Sequence, residues 1–232
     1  MTVSENYLEI EKRKNAAAVR SGRKPEDVLL LAVTKTHTPE EINEAIDAGA
    51  TDIGENKVQE ILEKYDSVKP VRWHLIGHLQ TNKVKNVIDK VVMIHSVDSV
   101  KLAGEIDKRA RAAGIVMDVL LQVNIADEET KTGLPVSELF TVIDDIAGRL
   151  HNIRIRGLLC IPPAGDTPED ARCYFAQARE LFERMKTLSY DEEYYKPDIL
   201  SMGMSGDFEV AIEEGSNLVR VGSSIFGRRS YR

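Results

Sequence analysis

Val28-Leu29-Leu30-Leu31-Ala32-Val33-Thr34-Lys35-Thr36-His37-Thr38-Pro39-Glu40-Glu41 holds both halves of one structural unit. Val28 to Val33 run without a polar interruption, the pattern of a strand buried on both faces of a parallel sheet. After Lys35 the chemistry changes to that of a helix start. Thr38 is a natural N-cap, Pro39 suits the first helical position because its missing N–H would have no partner there, and Glu41 completes a capping box. Ile42, Ala45 and Ile46 continue as an apolar stripe at helical spacing, and Gly49 ends it.

The same alternation recurs outward from this unit. Further strands are expected at 51–53, 72–76, 91–95, 117–123, 153–160, 198–201 and 218–221, with helices near 57–65, 81–88, 98–113, 135–149, 168–187 and 207–214. The 168–187 segment has Thr167 as cap and Pro168 as opener, and its apolar residues from Ala171 to Met185 fall at three- and four-residue steps. With the first strand, eight β segments are separated by helices, which predicts an α/β fold closed as a (β/α)₈ TIM barrel. An open doubly wound sheet is the alternative. Gly222 to Arg232 are too few for an eighth helix, so a helix expected over 4–21 is assigned that slot. No linker or low-complexity stretch interrupts residues 1–232, and a single domain is expected.

Composition narrows the function classes. Of 232 residues, 31 are Lys or Arg and 38 are Asp or Glu, a net charge of −7 that argues against a nucleic-acid binder. No apolar run reaches the roughly 18 residues that cross a bilayer, and Met1 to Lys14 has no secretory h-region. Cys160 and Cys173 form neither a CxxC pair nor a disulfide framework. A cytoplasmic protein that contacts neither nucleic acid nor membrane is expected.

In such a barrel, chemistry gathers where strands end and βα loops begin. Lys35 directly follows an apolar strand and would stand partly desolvated at the barrel mouth. Desolvation favours the neutral amine, a nucleophile toward an aldehyde; a surface lysine just past a strand end fits the position equally well. Gly222-Ser223-Ser224, with Ser205 and Gly206, offers backbone N–H groups and hydroxyls where barrels commonly hold phosphate. Gly222 is expected to let the backbone approach the anion closely. Arg220 lies inside an apolar strand and needs a ligand or an ion-pair partner there. His74, His78 and His95 match no zinc spacing and read as structural. Lys83, Lys85 and Lys90 read as a solvated face, Arg228, Arg229 and Arg232 as a tail with no specific role, and Cys160 as a residue near the mouth that nothing activates. There is no P-loop and no GxGxxG.

A series of motifs goes further. Leu31-Ala32-Val33-Thr34-Lys35-Thr36, Ile53-Gly54-Glu55-Asn56 with Gln59-Glu60, Trp73-His74-Leu75-Ile76-Gly77-His78-Leu79-Gln80-Thr81-Asn82-Lys83 and His95-Ser96-Val97-Asp98-Ser99 come first. Gln122-Val123-Asn124, Lys131-Thr132-Gly133, Ile155-Arg156-Gly157-Leu158, Leu200-Ser201-Met202-Gly203-Met204-Ser205-Gly206-Asp207-Phe208-Glu209 and Val219-Arg220-Val221-Gly222-Ser223 follow, with Ile225-Phe226-Gly227 at the end. In this order they make the chain resemble the pyridoxal-phosphate homeostasis proteins, whose fold is similar to the N-terminal barrel of alanine racemase.

The resemblance implies that Lys35 holds pyridoxal 5′-phosphate (PLP) as a Schiff base. It implies a phosphate site at Ser205, Gly222 and Ser223, Arg220 at the pyridine nitrogen, and Asn56 and His78 lining the ring pocket. Lys57 and Cys160 depart from the family pattern at the expected rim. An arginine beside the pyridine nitrogen keeps that nitrogen unprotonated, so the ring is a poorer electron sink than one facing a carboxylate. The expected function is therefore PLP homeostasis without turnover, with no catalytic residues and no metal. Apo PLP-dependent enzymes are candidate recipients, and a monomer is expected. An amino-acid racemase is the alternative; alanine racemase draws its second base from an additional domain and a partner subunit, and here eleven residues follow the eighth strand. A Schiff-base aldolase, a more remote reading, would lack the yellow colour of bound PLP.

Overall fold

The structure, a computed structural model, describes residues 1–127 and 132–227. Lys131 and the basic residues Arg228, Arg229 and Arg232 lie outside the described residues. Eight parallel strands form the barrel: β1 (Leu29–Val33), β2 (Asp52–Glu55), β3 (Arg72–Leu75), β4 (Met93–Val97), β5 (Met117–Asn124), β6 (Ile153–Cys160), β7 (Tyr195–Ser201) and β8 (Leu218–Val221). Each strand pairs with the next, and β8 pairs back with β1 to close the ring. A two-residue strand, Leu134–Pro135, adds to the outer end of β5.

The expected alternation is present, with shifts in boundaries. The helices are α1 (Val3–Arg20), α2 (Pro39–Asp47), α3 (Val58–Lys64), α4 (Val100–Ala113), α5 (Leu139–Ala147), α6 (Arg172–Lys186), α7 (Phe208–Glu213) and α8 (Ser223–Phe226). The capping box read at Thr38 and Glu41 forms on both sides. At the head of α6, Pro168–Ala171 is a 3₁₀ turn, and the Asp170 carboxylate accepts the Thr167 N–H at 2.9 Å. In place of the helix expected over 81–88, Thr81–Asn86 is also 3₁₀. No side chain caps it, and Thr81, Asn82, Val84 and Asn86 are all weak helix formers.

Helix α1 takes the slot of the missing eighth helix, as expected. Asn6 Nδ2 donates to the Ile225 carbonyl at 2.9 Å, and the Ser4 N–H donates to Glu44 Oε1 at 3.0 Å. Arg13 pairs with Glu209 at 2.7 Å and Arg20 with Glu213 at 3.2 Å, so α1 is tied to α2, α7 and α8.

The strands divide their side chains between two environments. Leu30, Ala32, Ile53, Leu75, Ile94, Val119, Leu121, Val219 and Val221 face the helices and join one large apolar layer. Each Val, Leu or Ile among them contributes roughly 1.5–3 kcal/mol by leaving water. Inside the ring, Met93, Leu120 and Leu159 form a separate small cluster. Toward the N-terminal ends of β5 and β6, Arg156 bridges Asp118 at 2.5 Å and Asp198 at 2.7 Å, while Arg154 reaches Asp118 at 2.7 Å.

A bulge in β6 sets the register above this ion-pair layer. Gly157 sits at the shift with φ +141°, and a Cβ there would overlap the Ile199 carbonyl oxygen of β7. Gly104, by contrast, lies within α4 with open space around its Cβ position. Gly157→Ala should therefore destabilise the protein by more than about 2 kcal/mol, since backbone strain of roughly 1–3 kcal/mol adds to a steric overlap. Gly104→Ala should stabilise it by roughly 0.5–1 kcal/mol. Urea unfolding of both variants checks the pair; two changes of the same sign would refute this account of β6.

Candidate functional site

A cavity of about 500 Å³ opens at the C-terminal ends of the strands. All seven residues expected from the sequence line it: Lys35, Asn56, His78, Ser205, Arg220, Gly222 and Ser223. Val33, Ile76 and Ile161 give it apolar walls. His37, Gln122, Thr132 and Met204 also line it and were not singled out from the sequence. Gln122 carries the signal that exposed Arg220, a polar residue inside an apolar strand; its Nε2 donates to the Thr132 carbonyl at 2.9 Å and to Thr132 Oγ1 at 3.0 Å. His37 stacks on Phe226 at 4.7 Å, and its Nδ1 lies 3.2 Å from Glu41 Oε2.

The loop after β7 and the turn after β8 meet at one corner. Gly222 and Ser224 both donate their backbone N–H to Ser205 Oγ, at 3.2 and 3.3 Å, and Ser224 Oγ donates to the Ser205 carbonyl at 3.4 Å. The N–H groups of Gly206 and Ser223 find no acceptor among the described residues. Gly222 also lies against the first strand. A Cβ there would press on Val33, 3.2 Å from its carbonyl oxygen and 3.3 Å from its Cβ, so the glycine lets β8 pass close to β1.

Arg220 is buried at 4% exposure. Its Nη1 donates to Ser201 Oγ at 2.6 Å and its Nη2 to the Cys160 carbonyl at 3.0 Å. Burial lowers its pKa to about 10, against the opposing pull of Cys160 and Asp207, so it is a cation at neutral pH. No carboxylate among the described residues pairs with it. The ion-pair option is closed, and a desolvated cation facing a cavity favours an electronegative ligand atom. Cys160 is packed in the apolar layer rather than at the mouth, and Lys57 is exposed at the head of α3; neither lines the cavity.

The histidines separate into two groups. His78 stays at the rim, with Nδ1 3.3 Å from Asp98 Oδ2. His74 and His95 lie within β3 and β4 and face inside the barrel, since their neighbours Trp73, Leu75 and Ile94 join the apolar layer on the helix side. Asp52 Oδ1 accepts from His74 Nε2 at 2.8 Å, and His74 Nδ1 meets His95 Nε2 at 2.9 Å. Burial pushes the Asp52 carboxyl up, but hydrogen bonds from His74 and Arg72 outweigh it and hold the pKa at about 2. Burial, with His74 and Arg220 nearby, drives His95 well below the ordinary histidine range and keeps it neutral. With one ring nitrogen of His95 turned to His74, the other, Nδ1, has no partner among the described residues. No group of three or more His, Cys, Asp or Glu among the described residues could hold a metal ion.

Comparison with known proteins adds four findings. The family model "Alanine racemase, N-terminal domain" matches residues 11–230. The sequence is 44% identical over 233 residues to the pyridoxal phosphate homeostasis protein of Aquifex aeolicus (strain VF5), covering 100% of each. PipY of Synechococcus elongatus PCC7942, solved with PLP bound, superposes with a TM-score of 0.76 at 35% identity over 93% of this chain and 99% of that one. The fold is also that of an alanine racemase from Streptomyces lavendulae, with a TM-score of 0.74 at 16% identity over 100% of this chain and 59% of that one.

The Asp52–His74 contact makes stability depend on pH in a defined direction. A carboxyl held below its unfolded value stabilises the fold above that unfolded value, and the gain is lost as pH falls through the folded one. A fall from 3.8 to about 2 corresponds to about 2 kcal/mol at 1.36 kcal/mol per unit. Wild-type stability should drop by that order between pH 4 and 2, and Asp52→Asn should lose this part of the drop. Urea titrations across the range check it; parallel curves for the two proteins would refute the contact's role.

Proposed function

The chain belongs to the pyridoxal phosphate homeostasis proteins, within the family of the alanine racemase N-terminal domain, and from that premise we propose that it holds PLP on Lys35 without turning over a substrate. One observation carries the reading. A strand-end lysine, a buried cation and a corner of backbone donors share a single cavity with apolar walls.

The residues present fit the group. Gly222 and Ser224 already direct their N–H groups to one point, and Gly206 and Ser223 have N–H groups to spare, a donor set suited to a phosphate. Val33, Ile76 and Ile161 suit the faces of an aromatic ring. The cavity volume lies within the roughly 300–1,000 Å³ typical of small-molecule sites. Bound there, PLP supplies an aldehyde open to an amine and a pyridine ring that can accept electron density.

Lys35 provides the amine. Ser205, Gly222 and Ser223 hold the phosphate, with Gly206 as a further donor, and Asn56 and His78 flank the ring. Arg220 disfavours a proton on any basic nitrogen placed beside it, because two adjacent positive charges repel. That withholds the electron sink which would drive proton removal from an amino acid. A racemase also needs a second proton carrier, and no tyrosine or cysteine lines the cavity among the described residues.

The reading extends to a single-domain monomer in a reducing cytoplasm that passes PLP to apo-enzymes. The ring of eight strands closes on itself without a strand from a partner, and neither cysteine is joined in a disulfide among the described residues.

Borohydride treatment of the PLP-loaded protein should fix a pyridoxyl group on the peptide that contains Lys35. Lys35→Ala should lose the yellow colour and keep only weak, phosphate-dependent binding. A Lys35→Ala protein with the wild-type spectrum would refute the assignment. With alanine, serine and other common amino acids the protein should show no racemase, transaminase or decarboxylase turnover near usual enzyme rates of about 1–10³ s⁻¹. Robust turnover that disappears in Lys35→Ala would establish an enzyme instead.

A further inference from the structure

The peptide on either side of Lys35 is held by a charged cluster that lies outside the cavity. Lys64, on the last turn of α3, donates from Nζ to the Thr34 carbonyl at 3.1 Å, to Glu55 Oε1 at 2.8 Å and to Glu60 Oε2 at 2.9 Å. Thr34 Oγ1 donates to the same Glu55 oxygen at 2.8 Å. The Thr36 N–H donates to Glu60 Oε2 at 2.6 Å. Residues 34 and 36 are thus both tied to this cluster, one on each side of Lys35.

Two features show that the arrangement is costly. Thr36 has φ +67°, a left-handed conformation that β-branched residues rarely adopt. Lys64 and Glu55 are buried, at 8% and 0% exposure, and taking such charges out of water costs several kcal/mol per ion before pairing offsets it. An apolar pair of similar size would fill the same layer at less expense. What the charges provide is direction, because their hydrogen bonds fix the Thr34 carbonyl and the Thr36 N–H.

We propose that Glu55, Glu60 and Lys64 form a clamp that sets the backbone of Lys35 and so the approach of its amine to an aldehyde in the cavity. They are positioning residues, acting through Thr34 and Thr36. None of the three lines the cavity. This inference rests on the covalent role of Lys35 proposed above.

Glu60→Ala removes the Thr36 arm of the clamp, and Glu60→Gln keeps a carbonyl oxygen that can accept the same N–H. Two quantities separate positioning from general stability. One is the rate at which the stripped protein forms its visible adduct with PLP. The other is the affinity for pyridoxine 5′-phosphate, which has the ring and phosphate but no aldehyde. Glu60→Ala should slow adduct formation at least tenfold and change pyridoxine 5′-phosphate affinity less than twofold, and Glu60→Gln should recover most of the rate. Binding of pyridoxine 5′-phosphate also confirms that each variant is folded. Capture by Glu60→Ala at the wild-type rate would overturn the clamp, as would an equal loss for both ligands. A wild-type protein with no adduct on Lys35 would overturn the proposed function itself, and the clamp with it.

Discussion

Four residues of β1 pair with four of β8, Leu29 with Leu218 through Ala32 with Val221, and this seam assembles the site. It brings Lys35 beside Gly222 and Ser223, although almost the whole chain separates them. The seam closes tightly because Gly222 has no side chain to hold it away from Val33. Helix α1 covers it from outside, with Asn6 bonded to the carbonyl of Ile225 and Ser4 to Glu44. Lysine and phosphate corner are therefore products of barrel closure, and an open sheet of the same strands would leave them at opposite edges.

The interior of the ring explains why the cavity wants a ligand. Arg220 is fully desolvated, at a cost of several kcal/mol for an unpaired ion. Its two hydrogen bonds, to Ser201 and the Cys160 carbonyl, return roughly 1.5–3 kcal/mol each. The two sums are comparable, so the cation is tolerated without being neutralised. Lower in the barrel the arithmetic differs, because Arg154 and Arg156 are answered by Asp118 and Asp198, and Arg72 by Asp52. The residual positive field therefore belongs to the cavity end of the barrel.

What the sequence revealed, and what it hid, follows from range. The capping box at Thr38 and Glu41, the long apolar strands and the stripe of α6 are local signals and appear where expected. Arg220 stood out because a charge inside an apolar strand has no local explanation. His74 and His95 were harder, since four- and five-residue strands are too short for alternation to say which side chains face inward. The second constraint on Gly222, its contact with Val33, is invisible without the β1–β8 pairing. The Glu60–Lys64 pair looks in sequence like an ordinary i,i+4 ion pair on a solvated helix. Only the fold shows that it grips residues 34 and 36 in the loop after β1.

Charge selects the ligand more sharply than shape does. The chain as a whole is acidic, at −7, and would repel an anion at long range. Among the described residues that line the cavity, however, there is no Asp or Glu, while Lys35 and Arg220 both contribute. Glu41 and Asp98 are turned to His37 and His78. An anion that reaches the mouth meets backbone donors, hydroxyls, the Lys35 side chain and the Arg220 guanidinium, with no Asp or Glu among the described lining residues. A molecule of the same size with neither negative charge nor acceptor would leave Arg220 without a counter-ion and the N–H groups of Gly206 and Ser223 unmet. Leaving buried donors unmet costs about 1–3 kcal/mol each, so the site discriminates against such ligands by what it would lose.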